Sequence, residues 1–276
     1  MKTLKFLKRD IRLGLVNRSF LLVIAVLFAI LTGLECSNAI EATKHMNYMW
    51  SNGTVMDYYF FSLQGSNYYR FDPQNEFLIP LSWFIYQMGI SYFIAYYSEK
   101  DFSENGKIVL LAGRSRSSWW LAKMIWCILS VVAYYVVEFV SCIVFALFKG
   151  ADLSWNITDD FYKAYFGYNM TYISYKDLIF IAVAVPMAIT IGISLVQLLM
   201  SFVVSPVTSF AATCGLYVVS TYYTAWFLPG SFAMWLRSSY YTEEGLNPLS
   251  GILIAVFLVV AVFLLGREYF ERKDII

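Results

Sequence analysis

Apolar residues run along this chain in long blocks, without the alternation of a half-buried strand or the narrow stripe of a soluble helix. A helix of about 20 apolar residues crosses a hydrocarbon core of about 30 Å. Six stretches meet or approach that length: Ser19 to Leu34, Phe77 to Tyr97, Trp119 to Phe148, Leu178 to Val204, Thr208 to Leu228 and Ser250 to Gly266. The first is short, about 24 Å at 1.5 Å per residue, and is expected to lean on Arg18 reaching back to the interface. Only Ser205-Pro206-Val207 separates the fourth stretch from the fifth, which predicts a tight antiparallel pair. The expected fold is an all-α polytopic membrane protein, one transmembrane domain over residues 1–276 with six transmembrane helices.

Charge distribution orients the spans. Cytoplasmic loops retain Lys and Arg, and an N-terminus inside gives that side Lys2, Lys5, Lys8, Arg9, Arg12, Arg18, Lys100, Lys107, Arg114, Arg116, Lys123, Arg267, Arg272 and Lys273 of the 20 basic residues. Both termini are therefore expected in the cytoplasm. Before the first span, Leu4, Leu7, Ile11 and Leu15 recur at helical spacing, with Lys5, Lys8, Arg9 and Arg12 on another face. That pattern predicts an amphipathic helix over residues 1–18 lying in the inner interface, its basic side toward anionic head groups. A cleaved leader ending near Ser37-Asn38-Ala39 is disfavoured by the length of the basic segment.

Composition sharpens the class. With 59% hydrophobic and 14% charged residues, against about 25% charged in soluble domains, the chain is not a soluble enzyme, a nucleic-acid binder or a disordered tail. Net charge is +1, so charge informs only through its placement. Cys36, Cys127, Cys142 and Cys214 show no disulfide framework. The sequence has no GxxxxGK[ST], HExxH or GxSxG, and its single histidine, His45, lies in a predicted outer loop. No catalytic residue, metal ligand or cofactor is therefore expected in this chain.

The one sizeable internal cytoplasmic loop, Ser98 to Ser118, reads SEKDFSENGKIVLLAGRSRSS and continues into Trp119, Trp120 and Lys123. Asp101-Phe102, Asn105-Gly106, the aliphatic run Ile108 to Leu111, Ser115-Arg116, Trp119 and Lys123 stand in an order that resembles the loop after the second span in permeases of type-2 ATP-binding-cassette exporters. The tail Phe270 to Ile275 is similar to that family's ending; Lys107 stands where a small polar residue is usual. The resemblance implies a permease of a bacterial cell membrane, paired with a second copy or a homologous permease and driven by a separate ATPase subunit that binds ATP and Mg. It further implies that residues 98–118 form the coupling contact, with Asp101, Phe102, Glu104, Asn105, Gly106, Lys107, Arg114 and Arg116 presented to the ATPase, and it suggests a hydrophobic or antimicrobial peptide as cargo, with drugs, lipids and polysaccharides open. Two alternatives stay open: a stand-alone secondary transporter, and a membrane immunity or assembly protein that transports nothing.

Polar residues within the spans complete the candidate set. Thr190, Ser194, Gln197 and Ser201 share one helical face, as do Thr213, Tyr217, Ser220 and Thr224, and as do Ser130, Tyr134, Glu138 and Ser141. Helix packing accounts for hydroxyl stripes of this kind. Glu138 is different: a carboxylate at membrane depth costs several kcal/mol and persists with a partner, a proton or a function. Glu138, Tyr134, Gln197, Ser194, Thr213, Tyr217 and Thr224 are the pathway or interface candidates. The aromatic outer loops suit an interfacial belt or lid.

Overall fold

The computed structural model describes residues 2–69, 79–104, 115–167 and 173–272. Regular structure among them is helical throughout, with only two isolated parallel bridges, Thr54–Asp152 and Ser238–Leu246. In chain order the helices are α1 (Lys2–Asp10), α2 (Val23–His45), α3 (Val55–Ser62), α4 (Leu81–Glu104), α5 (Arg116–Phe148), α6 (Asp159–Phe166), α7 (Tyr175–Val203), α8 (Pro206–Tyr222) and α9 (Pro248–Arg272). α7 carries a π-turn at Phe180–Ala184, where Pro186 has no N–H to give to Ala182.

Among the described residues, four helical segments are long and apolar enough to cross a bilayer: Ser19–His45, Arg116–Phe148, Tyr175–Val203 and Pro248–Arg272. Two of the six expected spans fall outside this set. α8 has 17 residues. α4 dilutes its apolar run with Gln87, Ser91 and Ser98 and ends in the charged stretch from Glu99 to Glu104.

Several boundaries differ from expectation, each for a local reason. The first apolar run was expected to stop at Leu34, yet the helix continues to His45 because Cys36, Ser37, Ile40 and Thr43 stay buried beyond it. The internal loop was expected from Ser98, yet α4 stays helical to Glu104 and α5 starts at Arg116. The fifth span was expected to reach Leu228, but α8 stops at Tyr222 and Tyr223 turns extended. Arg237 is the cause: its guanidinium donates to the carbonyls of Ser220 and Thr221, both at 2.5 Å, so a side chain occupies the acceptors at this helix end.

α7 lies at the centre, packed against α4, α5, α8 and α9, while α2 packs along α5. One large apolar core runs through the bundle, and a second forms around Trp83, Ile189, Tyr217 and Phe232. At one end, α3, α6 and the segment from Pro229 to Tyr241 form a cap. Ring donors sew it together: Trp235 Nε1 to the Phe60 carbonyl (2.9 Å), Trp83 Nε1 to Ala233 (3.1 Å) and Tyr241 OH to Phe166 (2.7 Å). Tyr58, Tyr59, Phe60, Phe61, Phe161 and Tyr162 are buried there, so these rings build a packed lid, whereas Tyr48 and Trp50 face outward. The opposite end carries α1 and the roots of residues 105–114.

Candidate functional site

The densest polar cluster lies where α1, α4 and α5 meet. α1 is amphipathic, with Lys2, Lys5 and Lys8 toward its exposed side, and its one acid, Asp10, turned inward and 1% exposed. Lys123, two turns into α5, is wholly buried. Its ammonium lies 2.8 Å from Asp10 Oδ1, 2.9 Å from Asp101 Oδ2 and 2.9 Å from the Tyr97 hydroxyl oxygen. The Asp10 and Tyr97 contacts are hydrogen bonds, and the Asp101 contact is an ion pair without one. Tyr97 OH donates in turn to Asp10 Oδ1 (2.8 Å), and Arg9 Nη2 to Asp101 Oδ1 (3.0 Å).

Two cations and two carboxylates make the cluster neutral. Desolvation costs several kcal/mol per ion, and the opposite charges offset it here, while Asp10 Oδ2 and Asp101 Oδ2 accept no hydrogen bond among the described residues. Aromatic faces close the site. Lys123 Nζ sits 4.8 Å from the Tyr97 ring centroid and 5.4 Å from that of Trp119, and Tyr97 packs on Trp126 with centroids 3.9 Å apart. The π-turn at Ile11–Val16 brings Gly14 against these rings; a Cβ there would lie 2.5 Å from Trp126 Nε1.

The cluster fastens both roots of residues 105–114. Asp101 is in the last turn of α4, and Lys123 lies just beyond the start of α5. A second tie holds the α5 root: Arg116 Nη1 donates to the carbonyls of Phe270 (3.2 Å) and Glu271 (3.0 Å), the closing turn of α9, and Ser117 Oγ to Glu271 Oε1. Trp120 packs on Gly266 and Phe270 beneath it.

Of the residues expected at a coupling contact, Asp101 is not presented outward; its carboxylate is enclosed between Lys123 and Arg9. Arg116 is bonded to the α9 terminus. Phe102 and Glu104 lie in the last turn of α4, and Asn105, Gly106, Lys107 and Arg114, with the run Ile108 to Leu111, lie outside the described residues. The sequence reading omits Asp10, and takes Lys123 as a topology marker and as the last position of the coupling-loop motif. The available signal was a lone acid within a basic helix and a lone Lys within Trp-Trp-Leu-Ala-Lys-Met-Ile-Trp.

The pathway candidates separate into two groups. Gln197 Nε2 donates to the Ser91 carbonyl (2.8 Å), Ser201 and Ser209 share a 2.6 Å hydroxyl bond, and Thr213 Oγ1 donates to the Ser209 carbonyl (3.0 Å). Tyr217 packs edge-on to Trp83, and Ser194 is buried. Gln197 thereby joins α7 to α4, and Ser201 joins it to α8. Thr224, expected on the α8 stripe, lies past the end of that helix. Glu138 and Tyr134 sit elsewhere, deep in α5 beneath the cap, with Ser62 Oγ 2.5 Å from Glu138 Oε1.

The cap has its own polar fixtures. Asp57, wholly buried, accepts from the Thr54 N–H (2.8 Å) and the Thr158 N–H (2.9 Å), so one carboxylate caps both α3 and α6. Burial drives its pKa above the ordinary carboxylate range despite those donors. Arg237 is 1% exposed and donates also to Ser66 through its backbone oxygen (3.2 Å) and hydroxyl (2.8 Å); burial lowers its pKa to about 10, which leaves it charged at neutral pH. A cavity of about 470 Å³ lies beside it, lined by Gln64, Ser66, Ile79, Tyr165, Phe166 and Tyr241 among others. Among the described residues, no group of His, Cys, Asp and Glu could hold a metal ion.

A family model described as "Protein of unknown function (DUF2705)" matches residues 21–276, and the chain belongs to that family. No curated protein and no solved structure matches the chain.

Proposed function

We propose that this chain is the membrane-spanning permease subunit of a bacterial ATP-binding-cassette exporter. In this reading α4 and α8 cross the membrane with the four longer apolar segments, both termini are cytoplasmic, and α1 lies in the inner interface. Two such subunits enclose the pathway, and separate ATPase chains bind ATP and Mg and do the hydrolysis. The cargo class implied by the sequence resemblance is a hydrophobic or antimicrobial peptide.

One structural observation carries the reading beyond the sequence. A loop that receives force from a cytosolic motor must be anchored stiffly at both roots, or the force is lost in bending. The roots of residues 105–114 are so anchored, through Asp101 and Lys123 to α1 and through Arg116 to α9. Movement of this segment would thereby reach α1, α4, α5 and α9 together.

The test is purification from native membranes with mass measurement of the detergent-solubilised complex. Two permeases with two ATPase chains are expected, and Glu104→Lys should lose the ATPase while Lys163→Glu, at the cap end, retains it. A lone chain that transports on its own, or ATPase loss with the Lys163 variant alone, would sink the proposal.

A further inference from the structure

The contacts of Glu138 contain a proton count. Ser62 Oγ lies 2.7 Å from the Tyr59 carbonyl oxygen and 2.5 Å from Glu138 Oε1. Both are hydrogen-bond distances, and both neighbours are acceptors if Glu138 is ionised. A serine hydroxyl has one proton and cannot serve both. Were the carboxyl charged, one of these oxygen pairs would be a contact of lone pairs. A carboxylic acid resolves it: Glu138 donates to Ser62 Oγ, and Ser62 donates to the Tyr59 carbonyl.

The surroundings agree. Glu138 is wholly buried, Cys142 Sγ lies 3.4 Å from Oε1, and Oε2 has no hydrogen-bond partner among the described residues. The titratable groups that face it are Tyr59 from α3, Tyr86 from α4, and Tyr134, Tyr135 and Cys142 from α5 itself; Cys36 of α2 stands behind Cys142. All are phenols and thiols. The described ion pairs lie elsewhere, at the α1 end and along α9.

We propose that Glu138 is a proton-binding site, and that the bound proton fastens cap helix α3 to α5 through Ser62. Release passes the proton to water and leaves a carboxylate with one hydroxyl and one thiol as its donors. Ser62 must then abandon the Tyr59 carbonyl, and the charge draws water beneath the last turn of α3. The protonated form is therefore the closed one, and rising pH loosens the cap. The inference stands on the Ser62, Tyr59 and Glu138 geometry and is independent of the transport reading.

Infrared difference spectroscopy of the full chain in lipid, wild type minus Glu138→Gln, tests the proton directly. A carboxylic acid carbonyl band at neutral pH is expected; a carboxylate band alone overturns the proposal. Hydrogen exchange of α3 amides tests the fastening. Gln keeps a donor for Ser62 and has no charge to lose, so the wild-type rate divided by the variant's at each pH should rise by about tenfold or more as the band titrates, since that factor corresponds to one pKa unit between open and closed forms. A flat ratio through the titration, or a band that persists to the highest pH at which the protein stays folded, overturns the release. If Glu138→Gln does not fold, Ser62→Ala takes its place: it should keep the acid band at a shifted frequency and exchange fast at every pH. An unshifted band with wild-type exchange would refute the coupling.

Discussion

The two ends of this bundle solve the same problem, closing off helix termini, with different chemistry. At the α1 end the closure is ionic: Arg9, Asp10, Asp101 and Lys123 pair one another in a neutral, almost dry cluster. At the cap end charges meet dipoles instead. Arg237 binds the carbonyls that finish α8, and Asp57 binds the N–H groups that start α3 and α6. An ion cluster is an all-or-none fixture, because removing one member strands the others in low dielectric. A charge on backbone dipoles loses its contribution in parts. The α1 end is thus built to hold one geometry, and the cap to tolerate adjustment.

The sharpest way to break the contrast is Lys123→Met, which leaves two buried carboxylates with Arg9 as their one cation and should cost about 3–5 kcal/mol. Thermal unfolding in detergent should show the loss, and adding Asp10→Asn and Asp101→Asn should recover much of it. Failure to recover would mean that the cluster is not the coupled unit described. Arg237→Ala should cost about 3 kcal/mol by orphaning the Ser220, Thr221 and Ser66 oxygens; Arg237→Lys should restore part of it, and exchange of the final α8 amides should report the fraying.

Asp57→Ala should be milder, about 2 kcal/mol for two helix caps at roughly 1 each. Asp57 also gives the cap a pH dependence of defined sign. Its folded pKa is raised, so the native state holds the proton more tightly than the unfolded chain does. That contribution is full below the ordinary carboxylate pKa and fades as pH rises through the folded value. Asp57→Asn should remove the share of the slope that Asp57 carries and leave the share that Glu138 carries, and an unchanged slope in this variant would overturn the assignment to Asp57.

Part of this was readable in the sequence and part was not, for reasons of distance. The apolar runs located the bodies of the helices, since periodicity and length are local properties, and α5 and α7 lie close to their expected bounds. Helix ends were less legible where a remote group decides them: Arg237 ends α8 from outside that helix, and the buried stripe from Cys36 to Thr43 extends α2 through contacts made by later segments. The Gln197 and Ser201 stripe was visible as a helical face, but its bonds to Ser91 and Ser209 depend on tertiary packing. Asp10 and Lys123 each looked like a minor exception in its own segment. Their meaning is a pairing across 113 positions, which no local pattern encodes.

That separation sets a timetable for biogenesis. Asp10 leaves the ribosome beside Arg9, and its buried partner Lys123 follows 113 residues later, a delay of roughly 6 to 23 s at about 5–20 residues per second. For most of that interval, until Tyr97 and Asp101 emerge, the N-terminal helix lacks its partners and must wait in water or at the lipid surface. Insertion of the first apolar segment therefore comes before the N-terminal helix docks, and completion of the ionic cluster marks the moment at which the nascent chain commits to its final arrangement.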